Sequence, residues 1–174
     1  MKITVLGSGG WGTALSILLH DNGHEVTLWS YEAHEAETLR ATHENPMLKG
    51  VVLPDGITFV SDFASVSGSD MVVFATPSFA VRQTAKNAAP FLRPGTAVVS
   101  VTKGIEGKTG LRMTEVIRQE IQDSCQVAAL SGPSHAEEVG RKVPTGVVAA
   151  CADVRAAELV QDVFMSPVFR VYTN

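Results

Sequence analysis

Residues 5–15 read VLGSGGWGTAL, and within them Gly7, Gly9 and Gly12 fall at Gly-x-Gly-x-x-Gly spacing directly after a short apolar run. In that pattern the first glycine permits a sharp turn and the second lets backbone approach an anion. The third lets a helix pack closely on the strand before it. A helix opening there offers its unpaired N–H groups to a pyrophosphate. A plain strand-to-helix turn uses the same glycines, so the motif carries weight only with a strand before it and a helix after it. Both are expected here. Trp11, inside the motif, has two readings: a cover over a bound cofactor, or a ring packed against the sheet edge.

Dinucleotide sites of this type place an Asp or Glu roughly 20 residues on, where it binds the adenosine ribose hydroxyls. Here the second strand runs into Trp29-Ser30-Tyr31-Glu32. The strand end carries no carboxylate, which permits a 2'-phosphate. No arginine stands beside it to pair with one, and Glu32 would repel it if turned inward, so NAD and NADP both stay open. Tyr31 either stacks on adenine or is a solvated residue at a helix start.

Open parallel sheets bind ligands beyond the carboxyl ends of their strands, so polar residues there carry more weight than elsewhere. FATPS (74–78) ends a strand with Pro77-Ser78: backbone beside a nicotinamide ribose or pyrophosphate, or a turn with Ser78 as helix N-cap. SVTKGIEG (100–107) sets Lys103 between an apolar strand and Gly104, where an ammonium could hold a phosphate or polarise a carbonyl, or simply be solvated. LSGPSHAEEVG (130–140) turns at Gly132-Pro133, with Ser134 as a potential cap and Glu137 and Glu138 suited to a helix start. His135 has no carboxylate partner legible in the sequence and reads as structural or supporting.

The elements that must hold these residues alternate. Strands are expected at 2–7, 24–29, 57–60, 70–76, 96–101, 126–130, 145–151 and 168–172. Helices are expected over the stretch from Trp11 to Asn22-Gly23, near 32–42, briefly after Ser61, at 78–90, at 110–122, from about 134, and at 153–165. The last shows an apolar stripe of Leu159, Val160, Val163 and Phe164. Apolar strands joined by crossover helices require a parallel sheet covered on both faces. The expectation is a doubly wound, mostly parallel, Rossmann-like α/β fold, one domain over 1–174.

The 174 residues are 45% hydrophobic and 18% charged, with a formal net charge of −4, which leaves no general basic surface for nucleic acid or an anionic membrane. Cys125 and Cys151 show no metal-ligand or disulfide spacing. No apolar run reaches signal-peptide or membrane-spanning length, so an unexported, cytoplasmic protein is expected.

GSGGWGTAL, HENPMLKGVVLPDGI, TPS, KGIE and LSGPSHAEEV, in that order and spacing, resemble the bacterial NAD(P)-dependent sn-glycerol-3-phosphate dehydrogenases along residues 2–174. The resemblance implies reversible hydride transfer between NAD(P)H and dihydroxyacetone phosphate, giving sn-glycerol 3-phosphate for phospholipid head groups. It also implies a cytoplasmic homodimer. Gly10, Trp11, Tyr31 and Ala136 then correspond to cofactor contacts, and Lys103 to a residue touching cofactor and substrate in a supporting catalytic role. Gly132 and Ser134 correspond to the substrate site. Glu32 stands where many relatives carry an arginine. Relatives continue past a strand like FRVYTN into a helical domain that provides a proton-donating lysine, so this chain is expected to be a cofactor-binding half with little turnover. Two alternatives are the dinucleotide domain of another hydroxyacid or sugar-phosphate dehydrogenase, and a nucleotide-sensing regulatory module.

Overall fold

The computed structural model describes residues 1–121, 123 and 125–174. Its strands are β1 (Lys2–Leu6), β2 (Glu25–Trp29), β3 (Thr58–Val60), β4 (Met71–Phe74), β5 (Ala97–Ser100), β6 (Val127–Ser131), β7 (Thr145–Ala150) and β8 (Phe169–Thr173). They form one sheet in the order β3-β2-β1-β4-β5-β6-β7-β8. Every pair is parallel except β6 and β7, which run antiparallel. The helices are α1 (Gly10–Asp21), α2 (Ala33–Thr42), α3 (Val81–Ala88), α4 (Met113–Glu120), α5 (Ala136–Gly140) and α6 (Val154–Phe164).

The central strands are apolar on both faces because both faces are covered. Along β4, Met71 and Val73 join one hydrophobic cluster with Leu15 and Leu19 of α1 and Phe164 of α6. Val72 and Phe74 join a second with Val81 and Ala85 of α3 and Val116 and Ile117 of α4. Full burial of each large side chain contributes about 1.5–3 kcal/mol relative to exposure, so the two clusters clamp the helices to opposite faces.

Helix α1 stops at Asn22, followed by Gly23 at φ +85, whose N–H donates to the His20 carbonyl. Sequence periodicity merged elements elsewhere. The helix expected over 78–90 divides into a 3-10 turn at Ser78–Ala80, α3, and a second 3-10 turn at Ala89–Phe91, where Pro90 has no N–H to continue the α-helical ladder. The helix expected at 110–122 begins only at Met113, because Gly110 at φ +71 and a bridge between Ile105 and Arg112 fold the preceding residues into a loop. Its expected last residue, Gln122, lies outside the described residues. In α6 the buried stripe is Ala157, Val160, Val163 and Phe164, while Leu159 turns outward, 37% exposed. Among the described residues, no helix is long and apolar enough to cross a membrane.

Candidate functional site

The register of the central strands sets their carboxyl ends in one line. Leu6 lies opposite Trp29 and Phe74, and Phe74 opposite Ser100. From that line the chain leaves β1 toward α1 on one face and β4 toward α3 on the other, so a crevice must open between them. A cavity of about 690 Å³ occupies it. Gly7, Gly9, Gly10, Trp11, Tyr31, Pro77 and Lys103 all line that cavity.

The glycines of the turn are required for different reasons. Gly7 has φ +121, and a Cβ there would sit 2.8 Å from the Ala75 carbonyl carbon, so both its conformation and the approach of β4 demand glycine. A Cβ on Gly12 would fall onto the Gly7 carbonyl oxygen, and one on Gly10 would lie 2.5 Å from the Met47 oxygen. Gly9 differs: its φ of −63 suits any residue, and a Cβ there would meet nothing within 4 Å. Nothing among the described residues calls for glycine at position 9, which faces the cavity.

The first helical bond of α1 runs from the Thr13 N–H to the Gly9 carbonyl, 3.0 Å. The amides of Gly10, Trp11 and Gly12 therefore have no carbonyl within the helix and mark its positive end. Asn45 holds the turn in place: it is buried, and its amide donates to the Ser8 carbonyl (2.8 Å) and the Thr13 hydroxyl (2.6 Å). Ser8 in turn donates to Glu35 Oε2 at 3.4 Å.

The Trp11 indole N–H donates to the Val101 carbonyl at 3.2 Å, so the first turn of α1 is fastened to the end of β5. Its ring both packs on the core and faces the cavity, which joins the two readings of this residue. Tyr31 precedes α2, is 79% exposed, and stands edge-on to Trp29 at 6.3 Å. Beyond β4, Pro77 lines the cavity beside Thr76, whose buried hydroxyl has no hydrogen-bond partner among the described residues. Ser78 caps nothing: Pro77 is the N-cap of the 3-10 turn and no side-chain bond closes it. The Thr76 backbone carbonyl accepts from the Thr102 hydroxyl at 2.8 Å.

Lys103 projects beyond β5 and meets the β6–α5 connection. Its ammonium donates to the Gly132 carbonyl (2.9 Å) and approaches the Ser134 hydroxyl at 3.4 Å. Three residues chosen from two separate sequence stretches are thus brought together. Ser134 is buried and does not cap α5, which begins two residues later with His135 as its N-cap and no side-chain bond. Ala136 lies outside the main cavity lining, with its Cβ 3.5 Å from where a Gly10 Cβ would stand, so it brings α5 against the glycine turn.

The KGIE loop is anchored from below. Arg82 grips Glu106 with two bonds (2.7 and 2.8 Å) and reaches Glu120 at 2.6 Å. The guanidinium, with the Thr109 hydroxyl, holds the Glu106 carboxyl down at about 2. Arg82 itself is pushed up by the same two carboxylates.

Strand order, the reversal between β1 and β4, and the glycine turn at that reversal define a doubly wound dinucleotide-binding domain. Residues 2–157 match the family model described as NAD-dependent glycerol-3-phosphate dehydrogenase N-terminus, and the chain belongs to that family. It is 52% identical over 175 residues to glycerol-3-phosphate dehydrogenase [NAD(P)+] of Moorella thermoacetica, covering 99% of this chain and 52% of the relative. The Agathobacter rectalis protein of the same name is 47% identical over 175 residues, with 99% and 52% covered. A crystal structure of glycerol-3-phosphate dehydrogenase from Coxiella burnetii superposes with a TM-score of 0.92 at 31% identity, covering 99% of this chain and 53% of that one. The chain spans about half the length of these relatives.

Sequence reasoning missed Glu35, Asn45, Thr76 and Thr102. Glu32, which would repel a 2'-phosphate only if turned inward, is an exposed N-cap, while Glu35 lines the cavity. Helical spacing carried part of this signal, since a residue in the first turn after β2 can face back toward the turn after β1.

Proposed function

We propose that residues 1–174 form one domain that binds a nicotinamide dinucleotide, NAD or NADP, with its pyrophosphate against Gly9 and the first turn of α1. The observation that carries this reading is Gly9: a glycine with ordinary φ and open space in place of its side chain, beside unpaired amides. The surrounding chain fits such a group further along, where Trp11, Tyr31 and Pro77 line the same cavity.

In a protein of the relatives' full length, the proposed reaction interconverts dihydroxyacetone phosphate and sn-glycerol 3-phosphate, supplying glycerophospholipid synthesis in the cytoplasm as a homodimer. Bound nicotinamide supplies the hydride for the ketone carbon. Reduction also needs a proton on the ketone oxygen, which the family resemblance assigns to a lysine in the relatives' further domain, and a cation beside that oxygen stabilises the charge that develops on it. Lys103 supplies that cation in a supporting catalytic role. Its anchors Gly132 and Ser134 fix where the ammonium stands and offer hydrogen-bonding groups to the substrate. Gly10 and Ala136 bring α5 up to the cofactor side of the site. Residues 1–174 carry cofactor binding.

The test is NADH and NADPH titration of the chain and of Gly9→Ala, followed by nucleotide fluorescence. The variant is expected to melt within a few degrees of the parent, since its methyl meets no protein atom, yet to bind about tenfold or more weaker because the methyl stands where the anion lies. Equal affinity in the two proteins, or no binding of either nucleotide by the parent, overturns the reading.

A further inference from the structure

We propose that Glu35 is the residue that selects between the two nucleotides, accepting a hydrogen bond from the 2'-hydroxyl of NAD(H) and excluding the 2'-phosphate of NADP(H). This rests on the dinucleotide reading above.

Glu35 sits in the first turn of α2, and its carboxylate comes within 3.4 Å of the Ser8 hydroxyl inside the glycine turn. It is half-buried at the cavity wall. Of the residues lining the cavity it is the sole Asp or Glu, and Lys103 is the sole Lys or Arg. The two belong to opposite ends. Glu35 follows β2, Lys103 follows β5, and β1 and β4 lie between them, a span of three strand spacings, about 14 Å. A dinucleotide lying along the strand ends, with its pyrophosphate at the β1 turn, has its two nucleosides on either side of that turn. With the reacting half at Lys103, the adenosine half lies over β2, beside Glu35.

The chemistry at that end is one-sided. A ribose hydroxyl donates to a carboxylate in a charge-assisted bond. A phosphate monoester brings about −1.5 to −2 charges against the same group, and a half-buried pair is poorly screened by salt. The nearest cation on α2, Arg40, is spent on the Phe59 carbonyl of β3 and does not line the cavity. Glu32 is exposed and outside the lining. His34 and Tyr31 share this wall, and neither carries a permanent positive charge.

The experiment titrates the 174-residue chain, Glu35→Gln and Glu32→Gln with NADH and NADPH, with thermal melts confirming that each is folded. The parent is expected to bind NADH at least tenfold tighter than NADPH. Glu35→Gln keeps a group that can bond Ser8 but removes the charge, and is expected to bring the two affinities within about threefold, chiefly by tightening NADPH. Glu32→Gln is expected to leave the parent's ratio in place. A parent that binds NADPH as tightly as NADH, a ratio unmoved by Glu35→Gln, or a ratio abolished by Glu32→Gln overturns the proposal while leaving the dinucleotide reading standing. Failure of the parent to bind either nucleotide removes both.

Discussion

The two ends of the cavity are built differently. At the β1–α1 end the chain presents backbone, and glycines make room for it: Gly7 for its φ and the approach of β4, Gly12 for the carbonyl beneath it, Gly9 for whatever enters from outside. At the β5 end it presents side chains, with Lys103 fixed by the Gly132 carbonyl and the Ser134 hydroxyl from another connection. A backbone site tolerates almost no substitution, because any added atom occupies the space that makes it a site. A side-chain site can lose its functional group and leave the fold in place.

That contrast can be broken by substitution. The largest effect is expected for Gly12→Val, whose branched side chain meets the Gly7 carbonyl. Overpacking of this kind costs about 1–3 kcal/mol or more, and a melting temperature several degrees lower with nucleotide binding abolished is the expected result. A variant that melts and binds like the parent would show that the turn can relax and that the backbone end is softer than its geometry.

Next is Lys103→Ala, assayed in a protein extended to the relatives' full length. Dihydroxyacetone phosphate turnover is expected to fall about 10²-fold, while the melting temperature stays near the parent's because the side chain is exposed. Unchanged turnover would remove Lys103 from the chemistry.

The smallest effect concerns the Arg82 anchor. Glu106 titrates at about 2 in the folded chain against an ordinary 4.5, so its pairing stabilises the fold above pH 4.5 and that contribution fades as pH falls toward 2. Arg82→Ala is therefore expected to lower the melting temperature at pH 7 by a few degrees or less and to approach the parent below pH 3. A gap that widens on acidification would show that Glu106 is not held by Arg82.

How much of this was legible in the sequence follows the same division. The glycine turn lies within six consecutive residues, and its strand and helix flank it, so local pattern was enough. The mostly parallel sheet followed from apolar strands alternating with helices. The partners of Lys103 are separated from it by the whole of α4 and β6; the rule that ligands lie beyond strand ends and the likeness of KGIE and LSGPSHAEEV to one family each pointed to both stretches, but neither showed that they touch. Glu35 was overlooked because the rule for ribose recognition looks to the strand end, whereas here the acid sits a helical turn later and is aimed back by Ser8. Asn45 lies in a loop without periodicity, and nothing short of the fold shows that it reaches Ser8 and Thr13. The division of 78–91 into three short helical pieces was hidden because apolar spacing does not distinguish α from 3-10 winding over so few residues.

The indole of Trp11 ties these two dissimilar ends into one gauge. Its bond to the Val101 carbonyl spans from α1 to β5 without passing through the intervening strands, two residues before Lys103. It holds the first turn of α1, whose amides have no carbonyl within the helix, against the end of the strand from which Lys103 extends. The indole therefore couples the backbone end of the cavity to its side-chain end through one hydrogen bond.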